Sequence, residues 1–100
     1  MSQTDSNVRE RQRINIREPR RYRVFMHNDD FTTMDFVVMV LERVFKKTKA
    51  DAERIMLKIH NEGEAVVGTY YKDIAVSKAK YTMALAKQNG FPLKLSIEEA

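Results

Sequence analysis

Polar acceptors and apolar side chains occur together in two separated stretches of this sequence, Asn28-Asp29-Asp30-Phe31-Thr32-Thr33-Met34 and Met56-Leu57-Lys58-Ile59-His60. A free α-amino group, with a pKa of about 8, is mostly a cation with three donors at neutral pH, and it is matched by carbonyl, carboxylate or neutral imidazole acceptors. Asn28, Asp29 and His60 can supply one of each. The same residues also have plain structural uses. Asn28-Asp29-Asp30 suits a turn or a helix cap, His60 suits a helix end, and Met34, Met56 and Ile59 suit a core. A metal site built from His27, Asp29, Asp30 and His60 lacks any recognised ligand spacing. The serines, Ser2, Ser6, Ser77 and Ser96, sit in no glycine-flanked nucleophile setting. Gly63, Gly68 and Gly90 lie too far apart to form a phosphate loop. No catalytic residue, no metal and no cofactor is therefore expected.

These groups must be positioned by a small fold. With 100 residues, 43% hydrophobic and 32% charged, the composition is that of one ordinary globular domain. The absence of cysteine excludes disulfides, thiolate zinc sites and cysteine nucleophiles. Residues 1–13 hold no apolar run of the kind found in signal segments, and no stretch approaches the roughly 20 apolar residues of a membrane span, so a cytoplasmic, non-membrane protein is expected. The net charge of +4 is concentrated early. Residues 1–23 carry Arg9, Arg11, Arg13, Arg17, Arg20, Arg21 and Arg23 against Asp5, Glu10 and Glu18. Residues 1–20 are polar and read as a flexible arginine-rich arm, with the folded domain over 21–100.

Within that domain, Tyr22, Val24 and Met26 alternate with Arg23, Phe25 and His27, which predicts a first strand ending at the Asn28-Asp29-Asp30 loop. Thr32 with Asp35 resembles a capping box. Phe36, Val37, Val40, Leu41, Val44 and Phe45 then recur at helical spacing, predicting a first helix over about Thr33–Lys47. Thr48 and Asp51 repeat the capping pattern for a second helix with Ala52, Ile55, Met56 and Ile59 on its inner face and Gly63 as its left-handed stop. Glu64 to Tyr70 reads as a second strand, with Gly68 marking a bulge or close approach. A long third helix opens near Asp73 with Ala75, Ala79, Thr82, Met83 and Ala86 facing inward, and Leu93, Leu95 and Ile97 alternate through a closing strand. The order βααβαβ is an α+β sandwich, a three-stranded antiparallel sheet packed against three helices.

The run from Val24 to Val37, together with Met56-Leu57-Lys58-Ile59-His60 and Gly63, closely resembles the signature of the ClpS family of protease adaptors, and the likeness extends from about Tyr22 to Ile97. The resemblance implies a non-enzymatic adaptor. It would recognise N-degron proteins by a bulky hydrophobic first residue (Leu, Phe, Tyr or Trp) and deliver them to a ClpA- or ClpC-like AAA+ unfoldase of the Clp protease. By position, Asn28, Asp29 and His60 would hold the α-amino group, Asp30 and Thr32 would shape the rim, and Met34, Val37, Met56, Ile59 and Leu93 would wall a hydrophobic pocket. Met34 resembles the family's gate, crowding side chains branched at Cβ. Asp73 and Lys78 correspond to unfoldase-docking positions. The chain departs from the family in Phe31, where tyrosine is frequent, in Thr33, where proline is common, and in its arginine-rich arm. A monomer with no nucleic-acid or membrane partner is expected. The competing reading is a nucleic-acid- or ribosome-associated module that sets the arm's arginines against phosphates, with binding that falls steeply with salt.

Overall fold

The structure, a computed structural model, describes residues 19–100, so all of the arm but Pro19 and Arg20 lies outside the described residues. The elements follow in the expected order: β1 (Arg21–His27), α1 (Met34–Arg43), α2 (Lys49–Glu62), β2 (Glu64–Tyr71), α3 (Lys72–Gln88) and β3 (Lys94–Glu99). Both β2 and β3 pair antiparallel with β1, giving the sheet order β2-β1-β3. Arg20, which the sequence reading groups with the arm, joins this fold through an ion pair with Glu99 at 2.6 Å.

The period-two pattern of β1 turns Val24 and Met26 inward, where both are fully buried with Val40 and Leu41 of α1 and Val67 of β2. Packing then distributes the helices: α1 lies on α2, α2 against β2, and α3 against all three strands. Phe36 at the start of α1 meets Phe91, ahead of β3, with ring centroids 5.0 Å apart and tilted at 59°. This is the offset geometry aromatic rings prefer. Opposite Val24 and Phe25 the register slips, leaving Val67 as an extra residue between Gly68 and Val66. A Cβ on Gly68 would collide with the Tyr70 side chain, so the bulge and the close approach are both present. No helix among the described residues is long and apolar enough to cross a membrane.

Two helix boundaries differ from expectation. The cap of α1 is Thr33, whose hydroxyl oxygen accepts from the Phe36 amide at 3.1 Å, because the Thr32 hydroxyl is engaged with Asp29. The helix also ends at Arg43 rather than near Lys47. Its last turn closes with the Lys47 amide on the Leu41 carbonyl at 3.0 Å and Lys46 at φ 56°, a left-handed stop made without glycine. The Lys78 ammonium reaches across from α3 and donates to the Val44 carbonyl at 2.7 Å, satisfying another group at that end.

The end of α2 follows the sequence closely. Thr48 caps its start through the Asp51 amide at 3.1 Å, and Gly63 ends it at φ 94°. Since an L-residue there pays about 1 kcal/mol or more for the left-handed backbone, Gly63→Ala is expected to lower stability by that amount in denaturant unfolding, with an unchanged slope.

Candidate functional site

The loop after β1 is tied to the end of α2 by one backbone hydrogen bond, from the Asn28 amide to the Gly63 carbonyl at 2.8 Å. Because Gly63 also closes the last turn of α2 by donating to the Ile59 carbonyl at 2.9 Å, this bond brings His60 to the same side of the molecule as Asn28. Two motifs separated by some thirty positions of chain thus become neighbours.

The Asp29 carboxylate organises the loop. One oxygen accepts from the Phe31 amide at 2.8 Å and the Thr32 amide at 2.7 Å, and the other accepts from the Thr32 hydroxyl at 2.7 Å. Partial burial pushes this carboxyl upward, but the Thr32 amide, the Thr32 hydroxyl and the Phe31 amide outweigh it, so Asp29 titrates below the ordinary aspartate range. A folded-state value below the unfolded one adds stability that is present above the unfolded pKa and fades as pH falls through the folded value. Asp29→Ala is therefore expected to cost about 1 kcal/mol near neutral pH. Thermal unfolding of both forms as a function of pH checks this, with the gap closing in strong acid.

Between this loop and the two helices lies a concavity of about 400 Å³. Asn28, Asp29, Asp30 and Thr32 line it from the loop, Met34 and Val37 from α1, and Met56, Ile59 and His60 from α2. Its depth is apolar, since Val37 is 7% and Ile59 only 3% exposed. Met34, by contrast, stands 47% exposed at the mouth. Acceptors and hydrocarbon thus line one concavity, the chemistry that suits a small cation carrying an apolar group. Larger hollows, of about 820 Å³ beside Asp73 and about 510 Å³ beside Lys78, lie along α3 and share no lining residue with this one.

Nine of the ten residues anticipated for the pocket thus line one concavity. Leu93 does not. It is 4% exposed within the core ahead of β3, and no strand residue contributes to the walls, which come from the loop and the two helices alone. The structure adds Phe31 and Thr33 to the lining. Phe31, at 74% exposed, has a sequence signal in retrospect: an aromatic residue between Asp30 and Thr32 in a polar turn has no core to enter. His27 points elsewhere, with Nε2 2.7 Å from the Ser96 hydroxyl and Nδ1 3.3 Å from Glu64. Among the described residues no group of three or more histidines and carboxylates is gathered as metal ligands would be.

A family model described as ATP-dependent Clp protease adaptor protein ClpS matches residues 17–96. The chain belongs to the ClpS family. Its curated relatives include the ATP-dependent Clp protease adapter proteins ClpS of Burkholderia cenocepacia (strain HI2424) and Burkholderia mallei (strain SAVP1). Each is 47% identical over 96 residues, covering 96% of this chain and 92% of the relative. Among solved structures it is similar to Agrobacterium tumefaciens ClpS2 bound to L-phenylalaninamide, with a TM-score of 0.80 and 40% identity over 83% of this chain and all of that one. This ClpS-family chain is thus a Clp protease adaptor, which makes a Clp protease its partner class. Its Asp73 and Lys78 sit on α3, away from the concavity, and they differ in environment. Asp73 is exposed, whereas Lys78 is half-buried with its ammonium 5.4 Å from the Tyr70 ring centre and on the Val44 carbonyl.

Proposed function

We propose that this ClpS-family chain binds the free α-amino group and bulky hydrophobic first residue, Leu, Phe, Tyr or Trp, of N-degron proteins and delivers them to a ClpA- or ClpC-like AAA+ unfoldase. The observation that carries the reading is the single concavity in which Asn28, Asp29 and His60 stand beside the apolar surfaces of Val37, Met56 and Ile59. L-Phenylalaninamide, the ligand of the similar Agrobacterium protein, has the chemistry of such a terminus: an ammonium, a benzyl side chain and no carboxylate. Asp30 and Thr32 shape the rim, and Met34 acts as the gate that admits an unbranched or aromatic Cβ and crowds Ile or Val. Asp73 and Lys78 serve the unfoldase contact, with the adaptor acting as a cytoplasmic monomer.

The magnitudes require both halves of the pocket. A large apolar side chain contributes about 1.5 to 3 kcal/mol on burial, and each hydrogen bond to a charged group about 1.5 to 3. Association costs at least about 4 kcal/mol, so a micromolar complex, near 8 kcal/mol, needs the hydrophobic floor and the amino-group acceptors together. The test is fluorescence anisotropy with a labelled peptide that begins with Leu or Phe, beside copies that are N-acetylated or begin with Ile or Ala. Binding confined to the free Leu or Phe terminus supports the reading. Equal binding of all four, or of none, overturns it.

A further inference from the structure

Of the asparagines in the chain, Asn7, Asn15, Asn28, Asn61 and Asn89, only Asn89 is followed by glycine. Asparagine is a thermolabile residue. Its side-chain carbonyl carbon is open to attack by the backbone nitrogen of the next residue, and glycine, having no Cβ, leaves that nitrogen least hindered. Asn89 and Gly90 are both exposed at the C-terminal end of α3, and neither lines the first-residue pocket. The fold holds the pair in an unreactive arrangement. The carboxamide that would leave donates from Nδ2 to the Leu85 carbonyl at 2.9 Å, and the nitrogen that would attack donates to the Lys87 carbonyl at 3.0 Å. Asn89 also sits at ψ 6°, which places the Gly90 nitrogen beside the amide nitrogen of Asn89, whereas ring closure needs it beside Cβ. All three restraints belong to the last turn of a helix, where local opening costs least, and they are released together when that turn opens.

We propose that Asn89 is a covalent modification site, converted through a succinimide to aspartate and isoaspartate at a rate set by opening of the last turn of α3. In the opened turn, hydroxide removes the Gly90 amide proton, the nitrogen bonds to the side-chain carbonyl carbon of Asn89, and Nδ2 leaves as ammonia. Water then opens the ring. Addition at the side-chain carbonyl breaks the new bond and gives aspartate. Addition at the main-chain carbonyl breaks the original peptide bond and gives isoaspartate, whose backbone runs through Cβ. Neither an oxidant nor a cofactor is required. Either product loses the donor to Leu85 and adds a negative charge at the negative end of the helix dipole. Isoaspartate also inserts a methylene just ahead of Phe91, whose amide closes on the Ala86 carbonyl at 2.9 Å and whose ring meets Phe36. Modification at an exposed turn thereby reaches the packing of α1 against the core.

The experiment incubates the full chain beside the acetylated, amidated peptide Ala-Lys-Gln-Asn-Gly-Phe-Pro-Leu in warm, mildly alkaline buffer. Peptide mapping by mass spectrometry locates each change from amide to acid, and an isoaspartyl methyltransferase counts the isoaspartate. In the chain, Asn89 is expected to be the first asparagine converted, about 10- to 100-fold more slowly than in the peptide, because two hydrogen bonds must open first. Urea raises the chain's rate toward that of the peptide. Gly90→Ala slows conversion in the peptide and in the chain in urea, and leaves little isoaspartate. Modified copies, separated by charge, melt at a lower temperature than unmodified copies from the same incubation. Conversion at the peptide's own rate overturns the proposal, since the turn would then be no gate, and so does the absence of conversion beyond that hundredfold range. Faster conversion at Asn28 or Asn61 overturns the assignment of the site. A rate indifferent to Gly90→Ala overturns the succinimide route, marking direct attack by water, and equal melting temperatures overturn the effect on packing.

Discussion

Asn28→Ala and His60→Ala are each expected to weaken binding of a Phe- or Leu-initiated peptide by about 10- to 100-fold, the loss of one hydrogen bond to a charged group. Neither change should disturb the fold. Both side chains are exposed, and the contact that ties the loop to α2 uses the backbone of Asn28, which alanine keeps. In the last turn of α2, alanine is also the better helix former. The two effects are not expected to add, since in the proposed function both side chains serve one ammonium. Anisotropy titrations of the single and double variants check this, with circular dichroism to confirm unchanged folding. Acid supplies an independent check. Protonating the imidazole removes its acceptor and sets cation against cation, so wild-type binding weakens on acidification while that of His60→Ala changes less. A His60→Ala variant that binds as tightly as wild type would remove the histidine from the site.

Met26→Ala is expected to have the largest effect on stability, about 2 to 5 kcal/mol. Met26 is fully buried in the central strand, between Ala65 on β2 and Leu95 on β3, so truncation opens a void that small neighbours cannot fill by moving. In a domain whose total stability is on the order of 5 to 15 kcal/mol, that loss lowers the melting temperature by about 10 °C or more. Scanning calorimetry measures it directly. Two residues downstream stands Asn28, so comparing Met26→Ala with Asn28→Ala separates loss of the scaffold from loss of the pocket. The first should retain tight binding in whatever fraction remains folded; the second should be fully folded and bind poorly.

Much of this architecture can be read from the chain because local and global preferences agree. The alternation through Tyr22, Val24 and Met26, the cap at Thr48 and the stop at Gly63 each encode one boundary by a short-range rule, and the structure follows all three. The differences arise where a long-range contact decides. Nothing between Phe36 and Lys47 breaks a helix, yet α1 stops at Arg43 because Lys46 takes the left-handed conformation and Lys78, from α3, satisfies the Val44 carbonyl. Thr32 and Thr33 are equivalent as caps by type. Asp29 selects between them by engaging the Thr32 hydroxyl. Leu93 illustrates a limit of placing a pocket wall by resemblance. A buried leucine ahead of β3 reads equally well as core or as wall, and its burial matches that of Val37 and Ile59, which do line the concavity. Phe31 is visible as an aromatic in a polar turn, but its place at the mouth depends on how Asp29 folds the loop.

The half-buried ammonium of Lys78 complicates any experiment that treats it purely as a contact for a partner. Its bond to the Val44 carbonyl holds down the C-terminal end of the helix whose first turns carry Met34 and Val37. Removing it would loosen an internal joint as well as any external handhold, so a delivery defect in Lys78→Ala would have two indistinguishable sources. Asp73, exposed at the start of α3 and without an ion-pair partner among the described residues, offers the cleaner probe of docking.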